Sequence, residues 1–193
     1  MDRRVPMQRV VVVGCTGSGK TTLAAALSHR LDAKHIELDA LHWGPNWTPV
    51  PNDQFRAQTA EFAKIDRWVA DGNYGAVRDL VWGRADTLVW LDYPFVVLLY
   101  RLTRRILQRG IRRQELWNGN RENLRTHFLS RDSLFLWLVK SYRRRQREYP
   151  LLLARPEYAH LAVCRFQRPA EADEWLGKVQ EIPAGDVGSD EDL

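Results

Sequence analysis

Five short apolar runs punctuate the chain: RVVVV (9–13), HIEL (35–38), RWVA (67–70), TLVWL (87–91) and LAVCRF (161–166). Their length fits buried strands better than helices. Between them the apolar spacing changes to threes and fours. Leu23, Leu27 and Leu31 share one face of a helix predicted over 21–31, and Phe55, Phe62 and Ile65 share a face over 53–65. Longer helical patterns cover 95–107 and 134–149, and a last one around 170–179 closes the domain. Strands that alternate with helices predict an α/β domain with a parallel sheet covered on both faces. The polar, irregular piece from Gln108 to Thr126 reads as an insertion near the functional edge of that sheet.

The first strand ends abruptly, in three glycines within six residues followed by a lysine and two threonines. Gly14, Gly19, Lys20 and Thr21 complete G-x-x-x-x-G-K-[ST] between a predicted strand and a predicted helix, the context this motif needs. The glycines let successive N–H groups turn toward one anion, and the helix N-terminus adds partial positive charge. The loop Gly14, Cys15, Thr16, Gly17, Ser18, Gly19, with Lys20, Thr21 and Thr22, is therefore expected to hold the phosphates of ATP. Lys20 would reach the outer phosphates and Thr21 would offer its hydroxyl to Mg²⁺. Cys15 inside the loop reads as a space filler.

A Mg²⁺-nucleotide site also needs a carboxylate at the end of a strand, and both Asp71 and Asp92 qualify. Glu37 and Asp39 stand at the end of the second strand, where ligands of open α/β sheets collect. Asp39 is the stronger candidate to orient an acceptor or take its proton; capping the next helix is the alternative. His42 and the tryptophans Trp43 and Trp47 follow in a proline-rich stretch, where packing competes with stacking on a ligand.

Composition narrows the partners. The net charge of +5 conceals an asymmetry: between Arg101 and Glu148, fourteen Lys/Arg stand against four acids. So basic a segment suits phosphates, on a nucleotide or on a nucleic acid. No window approaches the roughly 18 apolar residues of a membrane span, and two cysteines build neither a disulfide framework nor a metal site. A cytoplasmic monomer or weak dimer is expected, with one domain over 1–182 and a disordered acidic tail over 183–193.

These residues resemble a family. Over about 8–179 the chain is similar to small P-loop kinases of the adenylate kinase and shikimate kinase group, and within it to bacterial adenylate kinase-like "DNA topology modulation" proteins. VADGNY is similar to their Asp-Gly segment after the third strand, and LDYPFVVLLYRLTRR (91–105) to the stretch leading into their lid. The resemblance implies a three-layer α/β/α P-loop NTPase fold, sheet order 2-3-1-4-5, with an Arg-rich helical lid at about 108–132 and an acceptor-side insertion at about 42–66. It favours Asp71 over Asp92 as the Mg²⁺ acid, since the third strand then lies beside the loop strand. It assigns Arg101 to the adenine face and Arg105 to the transferring phosphate; as an i,i+4 pair they share a helix face.

The activity implied is ATP-dependent phosphoryl transfer to a small acceptor, with Lys20, Asp39, Arg101 and Arg105 as its catalytic residues. The acceptor side departs from adenylate kinase: HWGPNWTPVPNDQF replaces the helical AMP clamp, and Arg56 is its only arginine before Arg67. DGNYGAVRD lacks the Pro-Arg after the acid-glycine pair, although Arg78 stands nearby. LDALH is similar to the Asp-x-x-His of gluconate-type sugar kinases, which keeps a hydroxylated acceptor open beside a nucleoside monophosphate. The rival reading is an ATP-binding, nucleic-acid-associated regulator; the absence of a DNA-reading module such as a helix-turn-helix disfavours it.

Overall fold

A computed structural model describes residues 7–112 and 134–179. Most of the expected lid, and all of the expected acidic tail, lie outside the described residues. Five strands form one parallel sheet: β1 (Arg9–Gly14), β2 (Lys34–Glu37), β3 (Trp68–Asp71), β4 (Thr87–Leu91) and β5 (Ala162–Phe166), in the spatial order β2-β3-β1-β4-β5. Among the described residues seven α-helices accompany them: α1 (Lys20–Arg30), α2 (Leu38–His42), α3 (Asn52–Ala63), α4 (Arg78–Trp82), α5 (Phe95–Arg112), α6 (Leu134–Leu153) and α7 (Pro169–Lys178). The order and the parallel register match the expectation. Val12 of β1 pairs with Asp71 of β3 and with Val89 of β4, so the loop strand lies at the centre.

The valine run shows why this strand is central. Val10 and Val12 face a layer built with Leu23, Leu27, Leu98 and Leu102, while Val11 and Val13 face one built with Phe55, Phe62, Trp82 and Trp90. All four valines are fully buried. A strand covered on both faces needs continuous apolar character rather than alternation.

Helix α6 contributes to both layers, Leu138 to the first and Tyr149 and Leu152 to the second. It therefore crosses the carboxyl-end rim of the sheet, where Gln146 hydrogen-bonds Asp92 just past β4. The helix outruns its predicted end at Tyr149 and continues through Pro150 to Leu153. Proline forfeits a hydrogen bond and crowds the preceding turn, and here it falls near the end, where burial of Tyr149 and Leu152 holds the last turn in place. The short helices α2 and α4 were not expected; each has five residues, too few for a periodic signal.

Leu27 is fully buried between α1 and the sheet. Leu27→Ala should cost about 2–5 kcal/mol of stability, read as a lowered denaturation midpoint with an unchanged fold by circular dichroism.

Candidate functional site

The site grows from the end of β1. Gly14 has φ +153°, and a Cβ there would meet the Leu91 carbonyl oxygen at 2.7 Å. Gly17 has φ +80°, and its Cβ would meet the Leu98 carbonyl oxygen at 2.9 Å. Both glycines are thus required by the close approach of β4 and α5 as well as by loop conformation. Cys15 and Ser18 are buried under the loop, which agrees with a filling role for Cys15.

Asn73, two residues beyond β3, clamps the first loop glycine from both sides. Its Oδ1 accepts the Gly14 N–H at 3.1 Å and its Nδ2 donates to the Gly14 carbonyl at 2.7 Å. The Tyr149 hydroxyl of α6 donates to the same Oδ1 at 2.8 Å, and Arg145 hydrogen-bonds the tyrosine in turn. Helix α6 is therefore tied to the phosphate loop through two side chains.

Lys20 begins α1 and folds back to donate to the Cys15 carbonyl at 3.1 Å. Burial lowers its pKa to about 8; Arg145 and Arg105 push the same way, and Asp39 and Asp71 partly offset them. Arg145 is only 6% exposed, and its Nη1 has no hydrogen-bond partner. The loop thus sets the half-buried Lys20 beside the buried Arg145, and their charges, only partly offset by Asp39 and Asp71, suit an anion.

Thr21 and Asp71 come together: the Thr21 hydroxyl donates to Asp71 Oδ2 at 2.7 Å. His35 Nε2 lies 3.0 Å from the other carboxylate oxygen, and Asp71 is almost fully buried. Asp92 is elsewhere, held by Arg165 Nε at 2.8 Å and by Gln146. The hard oxygen donors Thr21 and Asp71 suit Mg²⁺, which takes few protein ligands and completes its shell with phosphates and water. Among the described residues no group of three or more His, Cys, Asp and Glu is placed to hold a metal ion.

Arg101 and Arg105 both reach the loop from α5. Arg101 donates to the Ser18 carbonyl at 3.2 Å with its guanidinium over the Tyr93 ring, 5.5 Å to the centroid, and Arg105 donates to the Thr16 hydroxyl at 3.3 Å. On the β5 side a cavity of about 480 Å³ opens, lined by Asp92, Pro94, Tyr142, Gln146, Gln167 and Arg168.

The second half of the site lies on the β2 side. Glu37 ends β2 as the N-cap position of α2, and Asp39 sits inside the first turn of α2, so Asp39 is not its cap. The Tyr74 hydroxyl donates to Asp39 Oδ1, and Trp43 hydrogen-bonds that hydroxyl. Burial, and the negative charge of Asp39, push the Tyr74 phenol well above its ordinary pKa, so it stays a donor. The His42 ring packs 4.5 Å from Tyr74, 4.7 Å from Trp43 and 5.1 Å from Phe55, and burial lowers its pKa. Arg56 is committed elsewhere, to Asp79 at 2.9 and 2.7 Å, and Arg78 lies over Trp82.

Sequence reasoning missed Asn73, Tyr74, His35 and Arg145. Arg145 had a legible signal: Leu138, Ser141, Arg145, Tyr149 and Leu152 form the buried stripe of α6, and a charge on such a stripe faces something that needs it.

No protein-family model matches the chain. The uncharacterized protein YqaC of Bacillus subtilis (strain 168) is 29% identical over 104 residues, 53% of this chain, and the match spans 58% of that protein, little more than half its length. Among solved structures, shikimate kinase from Acinetobacter baumannii in complex with shikimate superposes with a TM-score of 0.54 at 16% identity, covering 90% of each chain. Shikimate kinase from Bacteroides thetaiotaomicron gives 0.53 at 18%, covering 90% of this chain and 97% of that one. A gluconokinase from Sinorhizobium meliloti 1021 gives 0.50 at 20%, covering 93% and 96%. The shared feature is the P-loop kinase fold. Among the described residues no helix is long and apolar enough to cross a membrane.

Asn73→Leu keeps the bulk and removes both hydrogen bonds to Gly14. On the reading proposed below, in which the loop holds ATP, it should weaken ATP binding about fivefold or more by isothermal titration, because the loop loses its fixed geometry (about 0.5–1.5 kcal/mol per hydrogen bond).

Proposed function

We propose that the protein is an ATP-dependent phosphotransferase whose acceptor is a hydroxyl group of a small molecule. The observation that carries this reading is the meeting in one site of Lys20, crowded by Arg145 and Arg105, with the Tyr74-held carboxylate of Asp39. The first suits the outer phosphates of a nucleotide; the second suits a hydroxyl that must lose a proton as it attacks.

The residues divide the work by position. The loop backbone from Gly14 to Gly19, with Thr22, cradles the phosphates, and Lys20, Arg105 and Arg145 bind the group in transfer, where negative charge shifts most. Arg101 lies against the base end. Thr21 and Asp71 hold Mg²⁺, which when bound neutralises charge on the outer phosphates. Asp39 accepts the hydroxyl proton, and Tyr74 fixes the rotamer that presents it. Among the described residues the acceptor side, from α2 through α3, offers no arginine free of other bonds to grip a second phosphate, since Arg56 is tied to Asp79. A hydroxyl acceptor therefore fits better than a nucleoside monophosphate. The names of the structural neighbours, shikimate kinase and gluconokinase, support the same reading.

The direct test is a screen of small polyols, hydroxy acids and nucleoside monophosphates for acceptor-dependent ADP release. Turnover confined to nucleoside monophosphates would refute the acceptor class. Lys20→Ala should reduce turnover on the order of a hundredfold or more, with the fold intact by circular dichroism. Asp39→Asn should cut kcat with a hydroxyl acceptor while leaving ATP affinity within a few fold; an equal loss of ATP affinity would place Asp39 with the nucleotide instead.

A further inference from the structure

We propose that His35 is a positioning residue for the metal carboxylate: its ring nitrogen holds one oxygen of Asp71 so that the other stays turned to Thr21. This rests on the reading of Thr21 and Asp71 as the Mg²⁺ pair.

The geometry assigns each carboxylate oxygen a separate partner from a separate element. Oδ2 accepts from the Thr21 hydroxyl of α1 at 2.7 Å, and Oδ1 faces His35 Nε2 of β2 at 3.0 Å. The register explains the reach. Glu37 pairs with Asp71 and His35 with Val69, so His35 stands two residues back on the neighbouring strand, on the same face as Glu37. A nitrogen that close to a carboxylate oxygen carries its proton whether or not the ring is charged, so the hydrogen bond needs no particular charge state.

An aspartate carboxyl turns about a broad, two-fold torsion, and one partner alone leaves that torsion loose. A second partner fixes it. The Thr21 hydroxyl then spends its proton on Asp71 and keeps its lone pairs for the cation. His35 lies on the edge strand, where its neighbour Ile36 packs in one apolar layer while the His35 side chain keeps 21% of its surface. Its contact with Asp71 reaches a carboxylate that is almost fully buried. Partners of this kind around metal sites change affinity by about 10–100-fold when removed.

The test compares wild type, His35→Leu, His35→Gln and Asp71→Asn in the full chain. Mn²⁺ serves as the paramagnetic probe, with a non-hydrolysable ATP analogue. Two affinities are measured for each variant: that of the analogue in EDTA, and that of Mn²⁺ for the protein–analogue complex by electron paramagnetic resonance. His35→Leu keeps the bulk and loses the donor; it should weaken Mn²⁺ binding at least about tenfold while the metal-free analogue binds within twofold of wild type. His35→Gln, whose amide N–H reaches a similar position, should recover most of the loss. A purely structural role predicts instead that both affinities fall together, or that the two substitutions behave alike, and either result overturns the proposal. Unchanged Mn²⁺ affinity in His35→Leu beside a loss in Asp71→Asn overturns the role of His35 alone. Unchanged affinity in Asp71→Asn overturns the metal reading and the proposal with it.

Discussion

Lys20 is a charge half withdrawn from water and crowded by like charges. Burial holds its pKa near 8, and Arg145 and Arg105 make the protonated state harder still to keep. Two carboxylates, Asp39 and Asp71, lie close enough to relieve this in part. The site is therefore short of negative charge, which on the proposed reading a polyphosphate would supply. Partial burial of these groups strengthens the contacts such an anion would make there.

Such a site has to be held open against its own repulsion, and the surrounding architecture does this. Gly14 is clamped by Asn73, Asn73 by Tyr149, and Tyr149 by Arg145, which brings a helix crossing the sheet rim into register with the loop. Asp71 is fixed from α1 and from β2, and Asp39 from the segment after β3. Residues 71–74 thus make three contacts within one short stretch of chain: Asp71 with Thr21, Asn73 with Gly14 and Tyr74 with Asp39. The position of β3 between β1 and β2 makes this compactness available. The two functional halves meet there because the strand that ends at Asp71 borders both.

Much of the framework was legible in the one-dimensional pattern. The strand segments were found within one residue at each end, because runs such as VVVV and TLVW can satisfy a doubly covered sheet and little else. The loop motif located the turn between β1 and α1, since its glycines, lysine and threonine lie close together and their spacing is itself the geometry. Arg101 and Arg105, four apart on one helix, likewise carried their shared direction in the numbering. Helix periodicity could even have exposed Arg145, once Tyr149 and Leu138 were recognised as one stripe.

What the sequence by itself determined is therefore whatever depends on neighbours along the chain: strand, loop, helix face and the glycine-rich turn between β1 and α1. Tertiary structure decided which distant groups meet. Asp71 and Asp92 both end apolar strands, and pairing of β3 and β4 with β1 alone does not separate them. They part because the Thr21 hydroxyl reaches Asp71, whereas Arg165 and Gln146 occupy Asp92. His35 with Asp71, Asn73 with Gly14 and Tyr74 with Asp39 are separated by 36, 59 and 35 positions. No local pattern encodes such pairs, because hydrogen bonds depend on distance and direction in space, and only the stacking of β2, β3 and β1 brings those directions together.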